Sequence, residues 1–395
     1  MSEIRVTNVL GENGNSPVNF TKGINMSGIV TATSFVPTVG QLSHRNIIIN
    51  GACNIAQRGV SATSVSGQYK TVDRFSVNYG GEDEDPTEAQ HTLSTSDTPY
   101  TLGFRKSFHI TNGNQTSGAG AADYVQPQYK IEAQDIANCG WNYTDSNSFI
   151  TLSFWVKASV AGDYTLNMNT HDGTPYRYLM EYSLLANTWK HVVFKIPGNS
   201  NLTVNNDNGL GLQIMWYPFL GSNYIQADQE NNWYASSNQK YGTTSTTNWW
   251  TTNDATWEIT GVQLEVGSVA TPFEHRSFGD ELSRCQRYFH IIKTGSGEEK
   301  YVGQLQVYAS GNCHGKYFHF PVTMRAIPTT TLSGTITPTN ASGNFSSNFS
   351  TATFDRNTTE FVGSNNTSGS SGLTAGNTAA IGLRPNSSIS SSAEL

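Results

Sequence analysis

Apolar and polar residues alternate with a period of two in many short runs along this chain. In residues 149–156 the positions Ile150, Leu152, Phe154 and Val156 are all apolar, while the positions between them are mixed. Successive side chains of a strand point to opposite faces, so this run predicts a strand with those four residues in a core. Comparable runs lie at 104–108, 163–168, 189–196, 210–216 and 257–264. Gly, Asn and Pro turns separate them, which predicts a two-sheet sandwich or jelly roll.

These runs define one large β domain at residues 46–275. Its opening, 46–50, predicts a short buried strand, and in its last run Trp257, Ile259 and Gly261 are expected on one face. Wide loops are expected between the strand-like runs, notably at 80–99 and 221–253.

Residues 1–45 precede this domain and hold too few apolar residues for a core of their own. The alternation at 29–34 predicts one strand that needs a partner, either another copy of the chain or another protein. We therefore expect an extended N-terminal arm that attaches to an assembly. The alternative is a disordered leader.

A short helix and a second β domain are expected after residue 275. Ser277 and Asp280 resemble a capping box. An apolar helical face follows, formed by Phe278, Leu282, Cys285 and Phe289. We expect a linker helix and loop at 276–299, with the helix packing on the second domain. Alternating runs continue in 300–395, which predicts a C-terminal β domain, and the alternative there is a disordered low-complexity tail.

Composition favours the same fold class. Only 13% of the residues are charged, while there are 37 Gly, 18 Tyr, 18 Phe and 8 Trp. Strands favour aromatic residues and turns favour Gly, Asn and Ser. The predicted fold class is therefore all-β, with a jelly-roll or β-sandwich body, a β-rich C-terminal domain, an extended N-terminal arm and one short linker helix.

Charge and sequence patterns narrow the possible partners. The net charge of −7 gives no broad basic field, so we expect no nucleic-acid binding. No uncharged apolar run approaches the roughly 18 residues that cross a bilayer, so we expect no membrane insertion. The N-terminal residues lack the pattern of a secretory signal, which predicts assembly in the cytoplasm. The four cysteines are scattered, and buried free thiols are expected.

The best candidate for recognition is the aromatic-rich segment at 218–257. The candidate carbohydrate-binding residues are Trp233, Tyr234, Tyr241, Trp249 and Trp250, with Tyr224 nearby. Sugars stack their C–H faces on such rings, and the neighbouring amides and carboxylates suit sugar hydroxyls. The alternative is that the rings close one end of the sandwich or a seam between subunits.

The other clusters of acidic, cysteine and histidine residues do not indicate a metal site or a catalytic site. Residues 82–85 are four consecutive acidic residues. They could bind calcium, or they could form a solvated acidic loop. A zinc interpretation groups Cys285, His290, Cys313, His314 and His319, whose spacing matches no standard site. No nucleophile elbow or phosphate-binding loop occurs. We therefore expect no catalytic residue, no metal, no cofactor and no enzymatic activity, although a paired-carboxylate hydrolase stays open because sequence alone cannot pair carboxylates.

Several segments resemble structural proteins of bacteriophages. Residues 2–9 (SEIRVTNV), 20–24 (FTKGI) and 28–35 (GIVTATSF) resemble leaders of marine cyanophage structural proteins. Residues 46–51 (NIIING), 54–59 (NIAQRG) and 73–75 (DRF) are similar to the opening of phage fibre and appendage proteins. The most specific segments are 261–267 (GVQLEVG), 270–274 (ATPFE), 276–282 (RSFGDEL) and 285–289 (CQRYF). Residues 320–328 (FPVTMRAIP) and 393–395 (AEL) fit the same group.

This resemblance implies a cyanophage-like tail fibre whose body is a jelly roll like those of carbohydrate-binding modules. It implies a homotrimer in the virion, joined to tail or other virion proteins by the N-terminal arm and bound to host surface polysaccharide. Some members carry calcium near the start of the jelly roll, where this chain has Ala52 and Cys53 in place of an acidic residue. The alternatives are a glycan-depolymerising tailspike and a purely structural capsid or neck appendage.

Overall fold

The computed structural model describes residues 44–226, 229–236, 240–244, 246–309, 312–339, 349, 351–368 and 373–395. They belong to one compact unit, Val39–Leu395. The predicted arm at 1–45 lies outside the described residues except for its last two positions. Strands dominate the described chain, which confirms the all-β fold class. No described helix combines the length and apolar character that a membrane crossing requires.

The body is built from thirteen described strands. They are β1 Ser61–Thr63, β2 Phe75–Gly80, β3 Thr87–Thr92, β4 Lys106–Thr111, β5 Tyr124–Glu132, β6 Phe149–Ala158, β7 Gly162–Thr170, β8 Tyr176–Leu184, β9 Lys190–Pro197, β10 Leu210–Tyr217, β11 Phe219–Leu220, β12 Trp233–Ala235 and β13 Thr256–Val266. A six-stranded sheet has the order β1-β3-β4-β13-β6-β9. A seven-stranded sheet has the order β11-β5-β10-β7-β8-β12, with β2 also paired to β5. All described pairings between two of these thirteen strands are antiparallel.

The two sheets pack face to face around one apolar core, as expected for a sandwich. The six-stranded sheet contributes Phe108, Phe154 and Trp257, and the seven-stranded sheet contributes Leu166 and Trp216. In β6 the predicted inward set is confirmed, because Ile150, Leu152, Phe154 and Val156 are all fully buried.

The prediction for β13 is wrong beyond Ile259. Trp257 and Ile259 face the core as predicted, but the next core residues are Val262 and Leu264. The pairing with β6 shifts register between Thr260 and Gln263, which marks a β-bulge. A bulge inserts one extra residue and changes which later side chains point inward.

The predicted strand at 46–50 is buried but does not form a strand. In this segment, asparagine side chains make hydrogen bonds to the backbone that a neighbouring strand would otherwise make. The Asn46 amide oxygen accepts from the backbone N–H groups of Ile48 and Leu264. The Asn50 amide bonds both backbone groups of Ile55, and Asn50 itself has a φ of 61°. Side-chain amides that bond nearby backbone offer an alternative to strand pairing.

The two segments predicted as wide loops contain regular structure. The strand β3 lies within 80–99, and β12 lies within 221–253 together with a 3-10 turn at Ser222–Tyr224. The alternation of apolar and polar residues does not reveal β3, because the residue that it buries is a carboxylate, Glu88.

The described helices are α1 Thr98–Thr101, α2 Ala133–Ala137, α3 Thr247–Thr251 and α4 Phe278–Gln286. The predicted linker helix is α4, and its cap forms as expected because the Asp280 backbone N–H donates to Ser277 Oγ at 3.2 Å. Its predicted contact with the second domain is wrong. Cys285 packs instead on Ile49 and Ile55 of the body, while Phe278 is largely exposed.

A second apolar core lies in the C-terminal region. Its strands are β14 Phe289–Lys293, β15 Lys300–Ala309, β16 Asn312–His319, β17 Thr329–Ser333, β18 Ile336–Thr339, β19 Thr351–Ala352, β20 Phe361–Ser368, β21 Thr378–Leu383 and β22 Ser388–Ser392. They form a three-stranded sheet, β14-β22-β17, and a six-stranded sheet, β18-β21-β15-β16-β20-β19. Leu305, Ile381 and Ile389 are fully buried between them.

Candidate functional site

A cleft of about 430 Å³ lies on the face of the seven-stranded sheet that points away from the core. Strand alternation creates this face. In β7 the side chains of Leu166 and Met168 enter the core, so Asn167 and Asn169 point the other way. In β10 the residues Ile214 and Trp216 are inward, so the residues between and beside them line the cleft.

Amide side chains form a hydrogen-bonded row on the floor of the cleft. Gln128 is central, because its Oε1 accepts from Gln126 at 3.2 Å, from Gln213 at 2.5 Å and from Asn78 at 3.2 Å. Its Nε2 donates to Ser76 Oγ at 3.0 Å. These contacts fix the orientation of the row, so the cleft presents polar groups at defined positions.

Tyrosine rings form the other part of the cleft. Tyr224 lies edge-on to Tyr124 at 5.9 Å and to Tyr241 at 5.5 Å between ring centroids. Met215 and Tyr217 are buried beneath them. The Tyr217 hydroxyl accepts from Asn167 Nδ2 at 3.2 Å and lies 3.3 Å from Gln126 Oε1. An aromatic surface thus adjoins the amide row directly.

Arg177 and His171 add a cation and an imidazole to the cleft. The Arg177 guanidinium lies 4.2 Å from the centre of the Tyr241 ring, which is cation–π distance. It also donates to the Lys240 backbone carbonyl. Burial lowers the pKa of His171, so its imidazole is neutral near pH 7.

The side chain of Asn169 has unused hydrogen-bonding capacity. His171 Nε2 lies 2.8 Å from Gln213 Oε1 and 3.1 Å from Asn169 Nδ2, and a neutral imidazole nitrogen cannot donate and accept at once. When it donates to Gln213, the Asn169 amide loses that contact. Asn169 Oδ1 is also buried without a hydrogen-bond partner among the described residues. The Asn169 amide is therefore ready to bond a hydroxyl group in the cleft.

Of the residues predicted to bind carbohydrate, the tyrosines lie in or beside the cleft. Tyr241 and Tyr224 lie in the cleft, and both are partly exposed. Tyr234 lies beside it, half-buried, with its hydroxyl donating to the Lys240 carbonyl at 2.7 Å. Their role in binding stays a prediction.

The three tryptophans of the predicted set require correction. Trp233, Trp249 and Trp250 all belong to the body core, with 6%, 0% and 1% of their surface exposed. Their indole N–H groups donate to backbone carbonyls, those of Pro197, Thr256 and Gly118 respectively. Buried indoles satisfied in this way have no free face for a sugar, so the alternative that these rings fill the sandwich describes them better.

The amide row was missed by the sequence analysis. A usable signal exists in the repeated pattern of an amide on each side of an apolar residue, Gln126-Pro127-Gln128 and Asn167-Met168-Asn169. Paired amides facing away from the core on neighbouring strands mark a polar surface with fixed geometry. That pattern could have directed attention to the sheet face instead of the aromatic segment alone.

The other candidate clusters do not assemble as sites among the described residues. Asp83 accepts from the backbone N–H and the hydroxyl of Ser117, and Glu84 accepts from the Asn114 N–H, so these carboxylates tie two loops together. Cys285 and Cys313 lie in different apolar clusters. His314 stacks on Tyr308 at 5.0 Å. The proposed zinc set is therefore not brought together.

Comparison with known proteins gives similarity in structure only. No protein-family model matches the sequence, and no curated protein matches it. The enzymatically active domain of tailspike protein 4 from bacteriophage CBA120 is similar over 56% of this chain and 21% of its own, with 11% identity and a TM-score of 0.30. A family 4 carbohydrate-binding module is similar over 55% of this chain and 97% of its own, with 13% identity and a TM-score of 0.27.

A putative sugar-binding protein from Bacteroides thetaiotaomicron is similar over 56% of this chain and all of its own, with 12% identity and a TM-score of 0.30. The three solved structures are thus a phage tailspike domain, a carbohydrate-binding module and a sugar-binding protein named as putative. At such TM-scores they carry no argument about function, which has to come from the cleft itself.

Proposed function

We propose that this chain is a virion protein, a bacteriophage tail fibre that attaches the particle to host surface glycans without cleaving them. The observation that carries glycan binding is the meeting of tyrosine rings and a fixed amide row in one open cleft. Sugar rings present C–H faces that stack on aromatic side chains, and their hydroxyls pair with amide groups. The two surfaces are in contact, because the Tyr217 hydroxyl lies 3.3 Å from Gln126 Oε1.

The lining of the cleft supports binding over cleavage. Its described lining residues are Asn78, Tyr124, Gln126, Asn169, His171, Arg177, Gln213, Met215, Tyr217, Leu220, Tyr224 and Tyr241. None of these is Asp or Glu, and glycoside hydrolysis generally uses two carboxyl groups flanking the scissile bond.

The virion role rests on the resemblance of residues 2–35 and 261–289 to phage structural proteins. In this proposal the N-terminal arm joins the chain to tail or other virion proteins, and the chain acts as a homotrimer. Single sites of this size bind sugars weakly, and three linked copies raise the effective affinity without new contacts. Host surface polysaccharide is the ligand.

The binding proposal is tested by affinity electrophoresis of the full chain through gels containing a panel of soluble polysaccharides. Tyr241→Ala removes a stacking ring, and Gln213→Ala removes one amide of the row. We expect each to weaken retardation by about tenfold, since about 1.4 kcal/mol corresponds to that factor. Tyr301→Ala is the matched control, because Tyr301 is an exposed tyrosine of β15 outside the cleft. Circular dichroism establishes that each variant is folded.

Three results contradict the proposal in different ways. If both cleft variants are retarded as strongly as the wild type, the binding site lies outside the cleft. Release of reducing sugar from a polysaccharide supports the tailspike alternative. A chain that none of the polysaccharides retards, and that does not adsorb to susceptible cells, supports a purely structural capsid or neck appendage.

A further inference from the structure

Two histidines and a glutamate meet on the outer face of the six-stranded sheet. His91 lies on β3, His109 on β4 and Glu258 on β13. Glu258 is directly opposite His109 in the ladder, and His91 is opposite Ser107, two residues along the same strand. Each of the three offers one ligand atom, and these atoms all lie within 4.8 Å of one another.

The spacing suits a tetrahedral metal ion. His91 Nδ1 lies 3.2 Å from Glu258 Oε2. Zinc binds imidazole nitrogen and carboxylate oxygen at about 2.0–2.1 Å, so two ligand atoms of a tetrahedral site stand about 3.3 Å apart. The His109 ring lies edge-on to the His91 ring, at 5.1 Å between centroids. The His109 ligand atom lies within 4.8 Å of both other ligand atoms.

His109 provides an independent sign of a missing partner. Its Nε2 is buried and has no hydrogen-bond partner in the part of the chain that the structure describes. Buried polar atoms are normally satisfied, and each exception needs an explanation.

The charges around the cluster favour an added cation. Lys157 Nζ lies 2.6 Å from Glu258 Oε1 and 3.3 Å from Asp97 Oδ1, and Ser107 Oγ donates to Glu258 Oε2 at 2.8 Å. One ammonium thus faces two carboxylates, those of Glu258 and Asp97. Lys157 occupies one oxygen of Glu258 and leaves the other directed toward His91.

We propose that His91, His109 and Glu258 form a binding site for a divalent transition metal of the zinc class. Two imidazoles with one carboxylate are ligands that such metals take, and three protein ligands leave a fourth position for water or for an external group. The site lies on the six-stranded sheet, while the cleft lies on the seven-stranded sheet. The proposal is therefore independent of the proposed glycan binding.

The test is calorimetric titration of the full, metal-free chain with Zn²⁺ alone, in a non-chelating buffer near neutral pH. We expect one saturable site per chain. His91→Ala and His109→Ala each remove a ligand and are expected to weaken Zn²⁺ binding by at least about tenfold. His109→Asn serves as a second variant that keeps a polar group in the sheet. His314→Ala is the matched control, a histidine of β16 outside the cluster, and is expected to leave the affinity unchanged.

A fourth variant separates a metal site from a simple ion-pair network. Lys157→Met removes the ammonium that competes for Glu258, so it is expected to strengthen Zn²⁺ binding several-fold while lowering stability. Co²⁺ in place of Zn²⁺ is expected to give the visible absorption of a tetrahedral ion, lost in His109→Asn. Equal Zn²⁺ affinity in the wild type and in both His109 variants overturns the proposal, and so does a titration without a saturable site.

Discussion

Buried carboxylates in this protein differ in charge because their nearest partners differ. Burial alone would raise the pKa of Glu258, but hydrogen bonds from His91 and Lys157 and the charge of Lys157 bring it down to about 2. Glu88 is equally inaccessible, yet its side-chain partners are two hydroxyl groups. Burial therefore dominates and raises the pKa of Glu88 to about 7. The hydrogen bonds from His91 and Lys157 and the charge of Lys157, which Glu88 lacks, therefore account for the difference between the two carboxyl groups.

The free energy of unfolding of the wild type is expected to fall as pH rises, because Glu88 must lose its proton in a buried site. Glu88→Gln is expected to abolish this fall. Between the ordinary pKa of 4.5 and the folded value of about 7, the native state holds more protons than the unfolded chain. The free energy of unfolding therefore falls with rising pH in that window. Glutamine keeps polar contact with Ser64 and Thr71 without a charge. Between about pH 4 and pH 8 the variant should gain on the order of 3 kcal/mol relative to the wild type.

Urea denaturation of both proteins across that pH range measures this difference directly. Glu360→Gln is the control, because Glu360 is exposed and its replacement should give no such gain. If the free energies of unfolding of the wild type and Glu88→Gln changed in parallel with pH, the buried charge at Glu88 would not be the cause.

At the scale of strands, sequence alternation works where a strand is regular and fails where side chains or bulges intervene. It gives β6 its inward face, because Ile150, Leu152, Phe154 and Val156 all point into the core. It fails in β13, because the bulge after Thr260 changes the inward set. It fails at 46–50 because Asn46 and Asn50 bond the backbone themselves. Such local hydrogen bonds have no periodic signature.

Gly261 is the residue that permits the β13 bulge, and Gly261→Ala is expected to destabilise the body. Gly261 has a φ of 64°, and a Cβ there would come within 2.7 Å of the Phe104 ring. A left-handed alanine costs about 1–2 kcal/mol, and overpacking adds about 1–3 kcal/mol. We expect a loss of about 3 kcal/mol in the free energy of unfolding, measured by chemical denaturation.

Gly279→Ala provides a control of opposite sign. Gly279 lies in the first turn of α4, where a Cβ meets nothing within 4 Å. Alanine there should leave stability unchanged or raise it by up to about 1 kcal/mol. Equal effects of the two substitutions would show that Gly261 is not required by its conformation.

The candidate site was predictable only in part. An aromatic segment near 221–253 is visible in the sequence, and it does supply Tyr224 and Tyr241 to the cleft. Which rings are exposed is decided by tertiary packing: Trp249 and Trp250 look equivalent to the tyrosines in sequence but lie in the core. The amide row depends on strand order, because β5, β7 and β10 become neighbours only in the folded sheet.

At the scale of the whole described unit, the last residues of the chain join the C-terminal region to the body. The Glu394 carboxylate pairs with the guanidinium groups of Arg74 and Arg58. Lys130 Nζ donates to the Leu395 carbonyl at 2.7 Å. Arg325, from the C-terminal region, donates to the Glu394 carbonyl at 3.0 Å. These contacts surround the end of β22 and join the C-terminal region to the body, together with the ion pair of Arg287 and Glu132.

Glu394→Gln is expected to weaken this connection strongly. Arg74 has only 1% of its side chain exposed and stacks on Tyr288 at 3.5 Å, so it cannot reach water when its partner loses charge. Removing one member of a buried ion pair costs about 3–5 kcal/mol. Glu299→Gln is the matched control, because its pair with Arg384 is about one-third exposed and such pairs contribute at most about 1 kcal/mol.

Guanidinium denaturation followed by both tryptophan fluorescence and circular dichroism measures the effect. All eight tryptophans lie before residue 258, so fluorescence reports on the body, while circular dichroism reports on strands in both regions. If Glu394 couples the regions, Glu394→Gln shifts both transitions to lower denaturant and separates their midpoints, whereas Glu299→Gln leaves them together. Coincident midpoints at the wild-type denaturant concentration in Glu394→Gln would mean that other contacts, such as the ion pair of Arg287 and Glu132, hold the regions together.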